Sequence, residues 1–214
     1  MRKISKLQCV LTVISVSFYL ASNVITGRQL QLPFGLTSAG GLLIFPVTYI
    51  LSDVFSEIYG YKWSRFTNWI SFAVQAVVMA IFLTTIRFPA PVWYQNTEAF
   101  NAVLGNTPRI LLGSFSAFIL GDWANDIVFE KMKEKHQSEL KGFSFRAILS
   151  SLVGEVVDSL IFFPIAFAGS TPLNGLLNMM ATSVLMKVGY EIIILPITNI
   201  VVRKVKKYED AITE

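Results

Sequence analysis

Cysteine and histidine are almost absent from this chain. Cys9 is its one cysteine and His136 its one histidine. An internal disulfide is therefore excluded, as is a multi-cysteine or histidine-based metal site. Charge is scarce too: 15% of the 214 residues are charged, against about 25% in soluble domains. The Gly-x-x-x-x-Gly-Lys-Ser/Thr loop that cradles ATP phosphates is missing, so the chain does not hydrolyse ATP that way. Neither a metal-ligand set nor a Ser-His or Cys-His pairing supports an enzyme. Paired aspartates are the one feature an intramembrane enzyme could use, and the reading here is that the chain is not an enzyme. Low-complexity segments and long linkers are absent as well. The chain reads as one integral domain over residues 1–214.

Apolar side chains are plentiful, at 53% of the sequence, with a mean hydropathy of +0.57. A helix needs roughly 20 mainly apolar residues to cross a bilayer. Six stretches qualify: about 7–26, 38–58, 66–86, 108–129, 146–168 and 176–202. The first follows Arg2, Lys3 and Lys6, as a secretory signal would. Its apolar run is longer than a signal core and five more spans follow, so it is expected to stay as a helix. The expected fold class is an all-α integral membrane protein, a bundle of six transmembrane helices with some broken or kinked.

Basic residues set the expected orientation. Arg2, Lys3, Lys6, Lys62, Arg65, Lys131, Lys133, Lys135, Lys141, Arg146, Arg203, Lys204, Lys206 and Lys207 fall on one side of a six-span model, fourteen of the eighteen Lys and Arg. Arg28, Arg87 and Arg109 fall on the other, and Lys187 lies inside the last span. By the positive-inside rule both termini are cytoplasmic. Topology accounts for these charges, so a nucleic-acid partner is not expected. The longest outer connection, Phe88–Thr107, holds Trp93 and Tyr94, which suit an interfacial belt.

Several features inside the spans depart from plain apolar helix. Pro46, Pro164 and Pro196 interrupt three of them, as packing kinks or as the helix breaks from which transporter sites are built. Gly113, Ala117 and Gly121 recur every four residues, a spacing that lets helices pack closely. Carboxylates come in pairs on shared helix faces: Asp53 with Glu57, Asp122 with Asp126, and Glu155 with Asp158. Lys187 and Glu191 form a fourth pair, expected to interact with each other. Asn23, Gln75 and Asn125 add uncharged polar groups, and Asn68 a further one. Ionisable residues in a membrane span are functional-site candidates by default. Seven carboxylates face one lysine, so full ionisation would leave the interior near −6. Such a site carries protons, binds a cation, or binds a neutral solute rich in hydrogen-bond donors. The pairs Asp53/Glu57 and Asp122/Asp126 are expected in the cytoplasmic half, where reaching the interface is a competing explanation. Glu155, Asp158, Lys187 and Glu191 are expected nearer the midplane. The second and fifth spans each hold a carboxylate pair and a proline, as an inverted repeat would arrange them.

Five stretches carry a family resemblance. They are Phe45–Gly60 (Phe-Pro-Val-Thr-Tyr-Ile-Leu-Ser-Asp-Val-Phe-Ser-Glu-Ile-Tyr-Gly), Gly121–Asp126 (Gly-Asp-Trp-Ala-Asn-Asp), Gly154–Phe162 (Gly-Glu-Val-Val-Asp-Ser-Leu-Ile-Phe), Lys187–Glu191 (Lys-Val-Gly-Tyr-Glu) and the shorter Ser22-Asn23. With them the sequence resembles the queuosine precursor transporter family, also called vitamin-uptake-like transporters. The resemblance implies a bacterial inner-membrane, multi-pass protein that imports 7-deazaguanine precursors of the tRNA base queuosine. The substrates implied are the 7-cyano (preQ0) and 7-aminomethyl (preQ1) compounds; the free base queuine stays open. So does the coupling, which is facilitated, proton-driven or ATPase-assisted. The alternative is a substrate-binding membrane subunit for another vitamin or purine-like solute, working with a separate ATPase module. No cofactor or metal is expected. The expected partners are a small deazapurine and membrane lipid, and assembly into a homo-oligomer is compatible with the sequence. Candidate substrate-binding residues are Asn23, Asp53, Glu57, Gln75, Trp123, Asn125, Asp126, Glu155, Asp158, Lys187 and Glu191. A carboxylate accepts two N–H groups from a guanine-like edge, and Trp123 offers a stacking face, although helix or lipid packing competes for it.

Overall fold

The structure, a computed structural model, describes residues 4–135 and 140–213. Arg2, Lys3 and His136 lie outside them, as do the side chains of Lys133, Lys135, Lys141 and Arg146. Seven α-helices carry the chain: α1 (Lys6–Thr26), α2 (Phe45–Val54), α3 (Tyr61–Arg87), α4 (Thr97–Gly105), α5 (Thr107–Lys135), α6 (Leu140–Phe167) and α7 (Leu173–Thr213). Two three-residue strands, β1 (Gln29–Gln31) and β2 (Thr37–Ala39), pair as a small hairpin. Five helical stretches among the described residues are long and apolar enough to cross a membrane: Lys6–Thr26, Tyr61–Arg87, Thr97–Val128, Leu149–Phe167 and Leu173–Ala211. The protein is thus all-α and membrane-embedded, apart from its short hairpin.

The chain folds as two compact units. One takes the residues up to Arg28, Ala39–Pro108, and Gly189 onward; the other takes Gln29–Ser38 and Arg109–Val188.

In the first unit the faces that α1 and α3 bury are polar and the faces they expose are apolar. On α1 the buried residues are Gln8, Ser15, Ser22, Asn23 and Thr26; on α3 they are Ser64, Thr67, Ser71, Gln75 and Met79. Val10, Val13, Trp69, Val77 and Ile81 are exposed. A water-soluble protein would reverse this. In lipid there is no hydrophobic drive between helices, so contacts fall to small and hydrogen-bonding residues. The Ser71 hydroxyl donates to the Thr67 carbonyl at 2.7 Å, and Trp63 Nε1 donates to the Thr12 hydroxyl at 3.3 Å.

The stretch expected as a second span, 38–58, is broken into pieces. A 3-10 turn at Gly40–Leu43 leads into α2, and five π-helical residues, Phe55–Tyr59, follow it. Two adjacent glycines disfavour regular helix. Here they also let the turn lie directly on α1, since a methyl group on Gly40 would strike the Ile25 carbonyl. Pro46, expected as an interruption inside a span, instead stands in the first turn of α2. Its missing N–H costs nothing there. Pro164 and Pro196 do lie inside α6 and α7. The connection over residues 88–107 differs from a plain loop, because α4 forms within it. Its Trp93 is 83% exposed.

In the second unit the hairpin is tied to the start of α7. Thr37 N–H donates to Asn178 Oδ1 at 2.8 Å, and Asn178 Nδ2 donates to the Gly35 carbonyl at 3.0 Å. The small residues of α5 pack on α6. Ala117 is fully buried. A methyl group on Gly113 would sit 3.3 Å from the Phe162 ring and carbonyl. One on Gly154 would lie 3.0 Å from both the Gly121 carbonyl oxygen and the Asn125 Cβ. At that crossing the helices meet backbone to backbone.

The same substitution should therefore act oppositely at two glycines. Gly154→Ala forces apart atoms that cannot rotate away, and overpacking costs about 1–3 kcal/mol. Gly189→Ala meets nothing within 4 Å and gains up to about 1 kcal/mol of helix propensity. Thermal unfolding of the purified variants in detergent should place Gly154→Ala below, and Gly189→Ala at or above, the parent protein.

Candidate functional site

The polar centre of the second unit lies where α5, α6 and α7 meet. Glu155 and Asp158 are three residues apart on α6, so their side chains leave the same helix face. Lys187 reaches them from α7 and is itself buried, at 7% exposure. Its Nζ lies 2.6 Å from Asp158 Oδ2, as a hydrogen bond, and 2.6 Å from Glu155 Oε2, as an ion pair. The expectation that Lys187 pairs with Glu191, one turn along its own helix, gave no hint of these partners across the helix interface. Asp158 is held there by α5: a methyl group on Gly121 would come 3.2 Å from its Cβ.

Asn125 is a nearby polar residue on α5. It lies against Gly154, next to Glu155 in sequence, and its Oδ1 is buried without a hydrogen-bond partner. Orphaned buried acceptors are uncommon in native proteins. The cluster offers two carboxylates as acceptors and one ammonium as donor, and α5 carries a buried amide oxygen beside the residue that precedes Glu155. It suits a ligand rich in N–H groups.

Other candidates fall elsewhere. Asn23 and Gln75 meet in the first unit, where Asn23 Nδ2 donates to Gln75 Oε1 and Gln75 Nε2 donates to the Ser71 carbonyl at 3.1 Å. This buried amide pair joins α1 to α3. Asp53, at the end of α2, and Glu57, in the π turn, are both exposed. Asp126 and Glu191 are exposed as well. Trp123 is 63% exposed. Two residues on a helix point roughly 200° apart, so Trp123 turns away from the face of α5 that carries Asn125. The structure does not bring it to the lysine cluster.

Two engagements had no signal in the sequence. Arg109 closes the far end of α6: its Nε donates to the Ile165 carbonyl and its Nη2 to the Ala168 carbonyl at 2.5 Å. A cation on the last carbonyls of a helix satisfies groups left without partners. Glu209 is 4% exposed although it follows the basic run Arg203–Lys207, which reads as a solvated tail.

Removing the ammonium alone should be worse than removing the whole cluster. Lys187→Met leaves two carboxylates facing each other in an apolar interior, and breaking such a pair costs about 3–5 kcal/mol. The triple change Lys187→Met, Glu155→Gln, Asp158→Asn leaves no net charge behind. Folded yield and melting temperature are expected to rank parent first, then the triple variant, then Lys187→Met. Equal loss in both variants would mean that the charges act separately.

Residues 39–201 match the family model described as "Putative vitamin uptake transporter". The chain is also 26% identical, over 163 residues, to the "Probable queuosine precursor transporter" of Bacillus subtilis (strain 168); that alignment covers 76% of this chain and 71% of the relative. No solved structure matches. The resemblance read from the five motif stretches is borne out, and the protein is a multi-pass membrane transporter rather than an enzyme. With well over half of its length matched, the chain belongs to the vitamin uptake transporter family.

Proposed function

We propose that this transporter imports 7-deazaguanine precursors of queuosine, the 7-cyano and 7-aminomethyl compounds, across a bacterial inner membrane for tRNA queuosine salvage. The observation that carries the reading is the pair of carboxylates, Glu155 and Asp158, around the buried Lys187. A guanine-like edge presents parallel N–H donors, which a carboxylate accepts in pairs. Its carbonyl acceptor suits the lysine. The Bacillus subtilis relative, described as a "Probable queuosine precursor transporter", points to the same chemistry.

The six-span topology with cytoplasmic termini belongs to the same proposal. Ser5 Oγ donates to Glu209 Oε1 at 2.5 Å, so the first helix begins beside the end of the last. That contact supports an even number of crossings. Five stretches are continuous enough to cross, and the broken piece Gly40–Tyr59 supplies the sixth. Broken helices are tolerated in transporters where they line a cavity. Reporter fusions after Lys141 and Val202 should report cytoplasm, and fusions near Asn96 and Thr171 the outside. A C-terminus found outside would overturn the topology.

Binding is tested by calorimetry on the purified chain with each compound. Glu155→Gln and Asp158→Asn put a donor where the base also donates. Losing a bidentate base contact costs about 1–3 kcal/mol, or roughly one to two decades in affinity. Both variants should therefore bind both precursors roughly ten- to hundredfold more weakly while remaining folded. A carboxylate that reads only the cationic aminomethyl group would spare the cyano compound. Unchanged affinity for both compounds in both variants would remove the cluster from the binding site. Uptake into liposomes holding this chain alone would separate an autonomous carrier from a subunit that needs an ATPase module.

A further inference from the structure

Glu209 lies far along α7 from the lysine cluster, yet it is among the most buried charged side chains described. Its Oε1 accepts two hydrogen bonds, from Ser5 Oγ at 2.5 Å and from Tyr59 OH at 2.9 Å. Each donor marks the end of an element. Ser5 is the N-cap of α1, and its hydroxyl also accepts from the Gln8 N–H at 2.9 Å. Tyr59 is the last residue of the π turn that carries Glu57. Gly60 follows at φ 87°, in the left-handed region, and starts α3 in a new direction. One carboxylate oxygen therefore joins the start of α1, the end of the broken helix and the end of α7, all within the first unit.

Hydroxyl-to-carboxylate bonds are short and roughly twice as strong as neutral ones. They are also directional, so a shift of an ångström or two undoes them. The segment they hold is the least regular in the unit: π-helical turns recur at functional sites, and a positive-φ glycine lets the chain pivot with little strain. A strong contact on a weak segment is how a two-state closure is built. Transporters of this kind work by rocking or gating helices about a site.

We propose that Glu209 is a positioning residue for transport: with Tyr59 and Ser5 it forms a clasp that holds shut the end of the first unit where the start of α1 meets the end of α7, and that releases during the cycle. The proposal rests on the transporter reading but not on the identity of the solute. In the clasped state the π turn and the carboxylate of Glu57 are fixed relative to α1 and α7. In the released state the π turn pivots about Gly60 and the helix ends part. Weakening the clasp lengthens the open phase and slows the return step, without touching solute affinity.

The test is hydrogen exchange on the full chain in lipid nanodiscs. Tyr59→Phe removes one hydrogen bond, and exchange over residues 55–64 should quicken about three- to tenfold. Glu209→Ala removes both bonds and should quicken it further, also at the start of α1. Glu209→Gln keeps an acceptor oxygen but loses the charge that strengthens both bonds, and should fall between the parent and Glu209→Ala. Tyr208→Phe alters an exposed neighbour and should change nothing. A second arm uses 7-aminomethyl-7-deazaguanine as probe: Tyr59→Phe should lower net uptake into liposomes about threefold or more, with calorimetric Kd unchanged. Exchange that quickens equally across all helices would mean that Glu209 only stabilises the fold, and unaltered exchange in Tyr59→Phe would overturn the clasp. If Glu209→Ala does not fold, Tyr59→Phe decides the matter. A probe that fails to bind the parent would refute the solute assignment and leave the exchange result standing.

Discussion

A buried ammonium in a membrane protein cannot stand alone, and much of the second unit follows from holding Lys187. Transfer of an isolated charge into an apolar interior costs several kcal/mol even after relaxation. Two carboxylates at 2.6 Å offset that cost, but only if α6 and α7 are held in register and α5 lies close against α6. One partner would balance the charge. Two carboxylates make the cluster richer in acceptors than in donors, and the orphaned Asn125 oxygen tilts it further. That surplus, more than the ion pairs themselves, is the ground for proposing that the cluster takes a solute rather than only tying helices together.

Between α1 and α3 the first unit solves the same solvation problem without charge. The buried faces there are a stripe of hydroxyls and amides, with Asn23 bonded to Gln75. Hydroxyls bonded back to their own helix, as Ser71 is to Thr67, need no partner across the interface. Cross-helix polar contacts in bilayers are individually modest, about 0.6 kcal/mol on average, so the unit depends on many of them together with close packing. Carboxylates in this unit are either at its surface, as Asp53 and Glu57 are, or fully engaged, as Glu209 is.

Much of this was legible in the sequence, for identifiable reasons. Helix length and apolar content mark α1, α3, α5, α6 and α7, because a bilayer demands both. Face sharing at three residues correctly groups Glu155 with Asp158. Four-residue spacing of Gly113, Ala117 and Gly121 marks the face of α5 that meets α6. What escaped were contacts between elements. Spacing along one helix suggested Glu191 for Lys187, while the recorded partners come from a neighbouring helix that no local pattern can reveal. Trp123 and Asn125 are neighbours in the chain yet lie on opposite sides of α5. Glu209 was hidden by its basic surroundings, and the division of 38–58 into pieces by hydropathy, which does not register that Gly40-Gly41 packs against α1 or that Pro46 begins a helix.

The glycines explain why the charged motifs read as they do. In Gly121-Asp122 and Gly154-Glu155 a glycine precedes each carboxylate. The two glycines face each other at the crossing of α5 and α6. Any side chain there would spread the helices by the thickness of a methyl group or more. Asp158 rests its Cβ on Gly121, and Asn125 rests on Gly154, so such a spread would carry both polar groups away from the lysine. Coulomb attraction falls only as the inverse of distance, but hydrogen-bond geometry is lost within about an ångström. The small residues are therefore part of the polar site: they set the helix separation at which one lysine can serve two carboxylates.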